Sequence, residues 1–98
     1  MIMVLAKAIP KDEDACAKIV EFAQDLIENT KKEYGNIDYN LYSNTADGTL
    51  LFVEQWESKE ILGSHLETEH FIRFGNNIKD LVATELIIDV FDSNKVDL

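Results

Sequence analysis

The chain is poor in cysteine and in positive charge, and each shortage excludes a class of protein. Cys16 is the single cysteine among 98 residues, so no disulfide can form within the chain and a reduced, cytoplasmic setting is expected. Nineteen Asp and Glu residues outnumber nine Lys and Arg residues, and the formal charge of −10 argues against nucleic acid as a partner. No apolar run is long enough to cross a bilayer, so we also expect no membrane partner.

Cofactor and metal signals are also missing. The chain has no glycine-rich phosphate loop, so nothing in it indicates a nucleotide, flavin or nicotinamide, and we predict no cofactor. Its two histidines, His65 and His70, are five residues apart, a spacing that would point them away from each other on one helix. We therefore predict no metal site.

What the chain does have is a regular series of amphipathic segments. The predicted elements are a strand over Ile2–Ile9, a helix from Lys11–Asp14 to near Gly35, strands over Ile37–Tyr42 and Thr49–Glu57, helices over Ser58–Leu66 and Glu69–Leu81, and a strand over Thr84–Phe91. Ser58 and Thr68 are the predicted caps of the two shorter helices. This order predicts an α+β fold, the ferredoxin-like split βαβ sandwich, with helices on one side of an antiparallel sheet. We expect a single domain over residues 1–98, in which 92–98 form a polar tail.

The first helix and the strands carry more apolar surface than one small domain is expected to bury. The expected inner positions of the helix are Ala15, Ile19, Phe22, Ala23, Leu26, Ile27, Thr30 and Tyr34. In the third strand, Leu50 and Phe52 lie on one face while Leu51 and Val53 lie on the other. A sheet covered by helices on one side should be polar on its free side. A second copy of the same sheet is the simplest cover, so a homodimer is predicted.

The end of the third strand holds the only tryptophan beside a carboxylate. Trp56 shares a strand face with Phe52 and Glu54, and burial between two aromatic rings would raise the pKa of the Glu54 carboxyl. Glu54 would then be a possible catalytic acid or base. The alternative is a glutamate at the sheet rim that pairs with Arg73 or with a neighbouring subunit.

The two histidines follow directly on this strand. Imidazole titrates near neutral pH, so His65 or His70 could accept a phenolic proton. If the two short helices were continuous, Glu69 would lie one turn from His65 and would orient its ring. The alternative is that the histidines face solvent or cap helices.

Two segments of the chain resemble the antibiotic biosynthesis monooxygenase (ABM) domain family. Glu33-Tyr34-Gly35-Asn36-Ile37-Asp38-Tyr39 is similar to the family's E-x-G-x-x-x-Y segment at the second strand. Phe52-Val53-Glu54-Gln55-Trp56-Glu57-Ser58, followed by His65 and by Thr68-Glu69-His70-Phe71, resembles its E-x-W-x-(s/d)…H-x-x-(s/t)-x-H-(f/y) signature. In order and spacing the likeness extends over nearly the whole chain.

The resemblance implies a dimeric α/β-barrel and a cofactor-free oxygenase of a small quinol or polycyclic phenol that reacts with O2. In such enzymes a base removes a phenolic proton and the electron-rich substrate itself reduces O2. Trp56 would form a pocket wall and His65 would accept the proton, with support from Glu54 or His70. The substrate would also contact aromatic side chains, for which the candidates are Phe52, Tyr39, Phe71 and Phe74.

The chain departs from other branches of the family. Polyketide-tailoring members have an Asn and a Tyr where this chain has Phe52 and Leu62, and haem-degrading relatives use an Asn that the first strand lacks. Two other functions stay open. One is an apolar-ligand or stress-related binding protein without catalysis, and the other is an isomerase that uses the histidines without O2.

Overall fold

The structure, a computed structural model, describes residues 1–98 and has the predicted order of elements. The strands are β1 (Ile2–Ala8), β2 (Asn36–Ser43), β3 (Leu50–Trp56) and β4 (Ile87–Asp92), and the helices are α1 (Glu13–Thr30), α2 (Lys59–His65) and α3 (Glu69–Ile78). The strands form one antiparallel sheet in the order β2-β3-β1-β4. The predicted ferredoxin-like α+β fold is therefore confirmed.

Side-chain caps determine where the three helices begin. Asp12 accepts a hydrogen bond from the backbone N–H of Ala15, and Ser58 and Thr68 cap α2 and α3 in the same way, as predicted for these two residues. The predicted ends are less accurate, because α1 ends at Thr30, well before Gly35. Tyr34 therefore lies beyond the helix, and it is 86% exposed rather than on the inner face.

The last strand is shorter than the predicted Thr84–Phe91. Residues 79–86 return along the end of β1 and form a bridge between Pro10 and Val82. The backbone N–H of Ala83 donates to the carbonyl oxygen of Ile9 at 2.8 Å. Because these backbone groups are already paired with the residues after β1, the strand proper begins only at Ile87.

One face of the sheet packs on the helices and forms the core. On α1, Ile19, Ala23 and Leu26 are buried against it, whereas Phe22 is partly exposed, contrary to expectation, because it lies at the flank of this stripe. On β3 the burial alternates, and the residues on the core face are Leu50, Phe52, Glu54 and Trp56. The core is continuous from β2 to β1.

Beyond β1 the helices no longer cover the sheet. Ile88 and Val90 pair with core positions of β1, yet about half of each side chain is exposed. The opposite face of the sheet is also apolar, since it carries Leu51 and Val53 on β3 and Ile87 and Phe91 on β4. No helix is both long and apolar enough to cross a membrane.

Candidate active site

A large apolar cavity lies between the sheet and the helices beside the uncovered strand β4. Its volume is about 670 Å³, within the roughly 300–1,000 Å³ that is usual for small-molecule sites. Most of its wall is apolar, including Val4, Ala6, Leu62, Phe74 and Ile78. Three buried polar side chains also line it: Tyr39, Glu54 and His65. The exposed side chains of Lys79, Thr84 and Glu85 form the polar part of its rim.

The loop after α1 brings a carboxylate to the back of this cavity. Gly35 has a φ of +83°, and a Cβ atom there would clash with the side chain of Ile61 on α2. Only glycine therefore allows the loop to approach α2 so closely. The backbone carbonyl of Gly35 also accepts a hydrogen bond from Glu57 at 3.0 Å. These contacts place Glu33 beside α2 and α3.

Glu33 joins the two histidines through a single oxygen atom. Its Oε2 lies 2.6 Å from Nδ1 of His65 and 2.7 Å from Nε2 of His70. Thr68 holds the two short helices in this arrangement, because its hydroxyl donates to the carbonyl of His65 while it also caps α3 at Phe71. The condition under which Glu69 would orient His65 is not met, because α2 and α3 are separate helices. The carboxylate that orients His65 comes from a distant loop.

This contact defines which nitrogen of His65 is free. A carboxylate oxygen accepts hydrogen bonds, so the His65 proton lies on Nδ1 and Nε2 carries the lone pair. Nε2 is buried and has no hydrogen-bond partner in the protein. His65 is 1% exposed and lines the cavity. A hydroxyl-bearing ligand in the cavity could supply the missing donor.

The surroundings keep His65 neutral and therefore able to accept a proton. Burial lowers the pKa of His65, and the positive charge that His70 can carry acts in the same direction. The hydrogen bond to Glu33 and its charge oppose this change without cancelling it. A histidine oriented by a carboxylate, with its other nitrogen free, is the arrangement of a general base.

Glu54 is the second titratable group of the cavity. Desolvation raises the pKa of its carboxyl to about 7, although a hydrogen bond from Trp56 favours the charged form. The indole Nε1–H of Trp56 donates to Oε1 of Glu54 at 3.0 Å. Glu54 is therefore poised to exchange a proton near neutral pH. The alternative of a rim residue paired with Arg73 is wrong, because Glu54 is buried and Arg73 binds Asp25.

Tyr39 completes the polar part of the cavity. It is opposite Glu54 in the β2–β3 ladder, and its ring lies 5.6 Å from that of His65. Burial, followed by the charges of Glu54 and Glu33, raises the pKa of its hydroxyl. Tyr39 therefore stays protonated and can donate a hydrogen bond to an oxygen of a bound ligand.

Glu33, His65 and His70 are also a group that could hold a metal ion, since their ligand atoms lie within 4.8 Å of one another. Their five-residue spacing would point the two histidines apart on one helix, but they occupy different helices and both reach Glu33. Their contacts are nevertheless those of hydrogen bonds. A metal bound at about 2.1 Å from each atom would hold its ligands roughly 3 Å apart, farther than the contacts here. Metal-bound histidines also usually donate through their second nitrogen, and His65 Nε2 has no acceptor.

The side chains predicted for the site from the sequence lie in two places. Those that line the cavity are Phe52, Tyr39, Phe71, Phe74, Glu54 and His65. Trp56 is not part of the wall, because it is fully buried behind Glu54 and packs 4.6 Å from the ring of His65. His70 lies outside the cavity and reaches it only through Glu33 and His65.

Sequence reasoning missed the role of Glu33. The residue begins the segment that resembles the family's E-x-G-x-x-x-Y pattern, and that was the only signal for it. It is thirty-two positions before His65, and nothing in the helical periodicity indicates that it turns toward α2. The cavity wall also includes Ile88 and Val90 of β4, which the sequence analysis did not place at the site.

Comparisons with known proteins agree with this fold. The family model described as "Antibiotic biosynthesis monooxygenase" matches residues 1–77. An uncharacterised protein of Synechocystis is 30% identical over 90 residues, which are 91% of this chain and 61% of that protein. The chain thus spans about three fifths of the length of this relative.

Two further relatives match over most of their length. YcnE of Bacillus subtilis, which is named as a candidate monooxygenase, is 27% identical over 87% of this chain and 90% of its own. The structure of a Mycobacterium tuberculosis protein superimposes with a TM-score of 0.90 at 22% identity, covering 97% of this chain and 96% of the other. At this identity the likeness supports the fold.

Proposed function

This chain belongs to the antibiotic biosynthesis monooxygenase family, and we propose that it oxidises a small quinol or polycyclic phenol with O2 in the cavity beside β4. The observation that carries the proposal is the free Nε2 of His65, which lies in the cavity wall while Nδ1 is held by Glu33. An apolar cavity of this size accommodates an aromatic substrate, and its few polar groups would orient the hydroxyls.

The proposed reaction begins with proton transfer. His65 Nε2 accepts the proton of a substrate hydroxyl, which breaks the O–H bond and leaves an electron-rich phenolate. The phenolate supplies the electrons that reduce O2, so the proposal requires no cofactor. One oxygen atom remains on the substrate and the other leaves as water. A quinol and O2 would thus give a hydroxyquinone and water.

The remaining side chains have supporting roles in this proposal. Tyr39 and the protonated form of Glu54 donate hydrogen bonds to the substrate oxygens as negative charge develops on them. Trp56 holds the Glu54 carboxyl from behind, and His70 acts through Glu33. Phe52, Phe71 and Phe74 contact the substrate rings as part of the wall.

We also propose that the chain works as a homodimer in the cytoplasm, where Cys16 would stay reduced. The sheet face opposite the helices is apolar at Leu51, Val53 and Phe91, and a second sheet would bury it. A Val53→Lys variant should then be monomeric by light scattering, whereas the unaltered chain should have twice the monomer mass. A monomeric unaltered chain would contradict this part of the proposal.

The decisive experiment measures O2 consumption with a panel of reduced quinols and polyphenols in the presence of a chelator. The matched variant is His65→Asn, because the asparagine amide can still donate to Glu33 in place of Nδ1 but has no equivalent of Nε2. Uptake above autoxidation that the variant lacks is the expected result. If the variant consumes O2 at the same rate, His65 is not the base.

A second candidate is an isomerase that shuttles a proton without O2. A neutral histidine and a carboxyl with a pKa of about 7 on one cavity are the acid and base that such a reaction needs. Turnover that persists under strict anaerobiosis would favour it. Thermal stabilisation by a ligand without any turnover would instead indicate a binding protein.

A further inference from the structure

Two histidines of unequal burial compete for one carboxylate oxygen. His65 is 1% exposed and reaches Glu33 Oε2 from the cavity side, whereas His70 is 15% exposed and reaches the same atom from the outside. The two imidazole rings are 6.0 Å apart. The shared oxygen and this short separation mean that a charge on one ring acts on the other.

The charges around this pair allow only one of the two rings to be protonated at low cost. Glu33 carries the single negative charge in direct contact with either ring. The other titratable groups nearby are Tyr39 on β2, which stays neutral, and Glu54 on β3, which is bonded to Trp56. A second proton would leave an excess positive charge in a partly buried cluster.

We propose that Glu33 and His70 are positioning residues for the His65 base, and that His70 weakens this base whenever it carries a proton itself. The inference rests on the proposed function of His65 as the proton acceptor. When His70 is neutral, Glu33 stabilises the imidazolium that forms on His65. When His70 is charged, it takes the Glu33 charge for its own ion pair, and Nε2 of His65 becomes a poorer acceptor.

The first test compares the pH dependence of His70→Gln with that of the unaltered chain. Glutamine can still donate to Glu33 Oε2 but does not titrate. In the unaltered chain a proton on either histidine weakens the base, whereas in the variant only a proton on His65 itself does so. The acid limb of the kcat/KM profile for O2 uptake should therefore move to lower pH by roughly half a unit or more. Glu69→Gln is the matched control, since it removes the adjacent carboxylate, which bonds neither histidine.

The second test needs no substrate. The chain has only two histidines, so their ring resonances can be followed by NMR across the pH range. Glu54 also titrates near pH 7, so both proteins are compared with Glu54 replaced by glutamine. With Glu54→Gln alone the His65 resonance should respond to two protonation events, and with Glu54→Gln and His70→Gln together to one. If the double variant does not fold, the Glu54→Gln protein alone tests the coupling. A His65 resonance with a single step in both proteins would overturn the inference.

Glu33→Gln tests the positioning role. It keeps an oxygen acceptor for His65 but removes the charge. Because Glu33 does not line the cavity, kcat should fall by about tenfold or more while KM changes little. An equal rise in KM would mean that Glu33 shapes the binding site instead.

The results of these tests distinguish the proposed oxygenase activity from the proposed effect of His70 on His65. Two-step titration of His65 without any O2 uptake would contradict the proposed oxygenase and support the coupling. Uptake whose acid limb is the same in His70→Gln and the unaltered chain would leave the oxygenase intact and overturn the role given to His70.

Discussion

Two nitrogen–oxygen contacts in this molecule have the same length and very different surroundings. Arg73 Nη2 lies 2.6 Å from Asp25 Oδ2 on the surface, where the two side chains are 47% and 52% exposed. His65 Nδ1 lies 2.6 Å from Glu33 Oε2 with His65 almost completely buried. Water solvates and screens the first pair, so it is expected to contribute little to stability. The second pair is largely shielded from water, so the buried His65 has little access to a replacement partner.

The difference shows that burial, and not distance, decides what a polar contact does. A surface ion pair can be broken and its charges resolvated, whereas a buried donor that loses its acceptor stays unsatisfied. The buried contact therefore determines the orientation of His65 and which nitrogen is free. Four substitutions examine this contrast, beginning with the largest expected effect.

Glu54→Gln tests a buried carboxyl group whose only hydrogen-bond donor, the indole of Trp56, is uncharged. The folded-state pKa of Glu54 is raised from 4.5 to about 7, so its contribution to stability is complete below pH 4.5 and is lost as pH rises to 7. Glutamine stays neutral and avoids this loss. Relative to the unaltered chain, the variant should gain on the order of 3 kcal/mol between pH 4.5 and pH 8. Urea unfolding at several pH values measures this, and a difference independent of pH would contradict it.

Glu33→Ala breaks the buried contact itself. The N–H groups of His65 and His70 lose their acceptor, and the unfolding free energy should fall by about 2 kcal/mol. Chemical denaturation at pH 7.5 gives the value. A loss as small as that of a surface pair would mean that water enters and solvates both rings.

Trp56→Phe keeps an aromatic ring but removes the donor to Glu54. We expect a loss of about 1.5 kcal/mol from the missing hydrogen bond and the smaller ring. The pKa of Glu54 should rise further, because the indole N–H favours the charged carboxylate. A carboxyl-carbon NMR titration follows this change. An unchanged or lower pKa would show that the indole does not stabilise the charge.

Arg73→Ala breaks the exposed contact of equal length. The unfolding free energy should change by less than about 0.5 kcal/mol, and by still less in high salt. The same denaturation experiment as for Glu33→Ala provides the comparison. A loss as large as that of Glu33→Ala would contradict the argument from burial.

Much of the fold could be predicted from the residues because local chemistry determines it. Ser58 and Thr68 were identified as helix caps, and both are, since a side-chain oxygen at that position satisfies a free N–H whatever the rest of the protein does. The alternation of Phe52, Glu54 and Trp56 on one face of β3 follows from strand geometry alone. The end of α1 and the start of β4 were less accurate. For β4 the reason is that the residues before it pair with the segment after β1, which is distant in the sequence.

The sequence by itself determined the order of elements, the antiparallel sheet and the set of side chains available for chemistry. Only the tertiary structure decided that Glu33 reaches both histidines, that Trp56 lies behind the cavity and that Ile88 and Val90 line it. The physical reason is how far apart along the chain the interacting residues are. Periodicity and capping depend on residues within one or two turns, whereas the contact between Glu33 and His65 joins positions thirty-two residues apart through the close packing of Gly35 against Ile61.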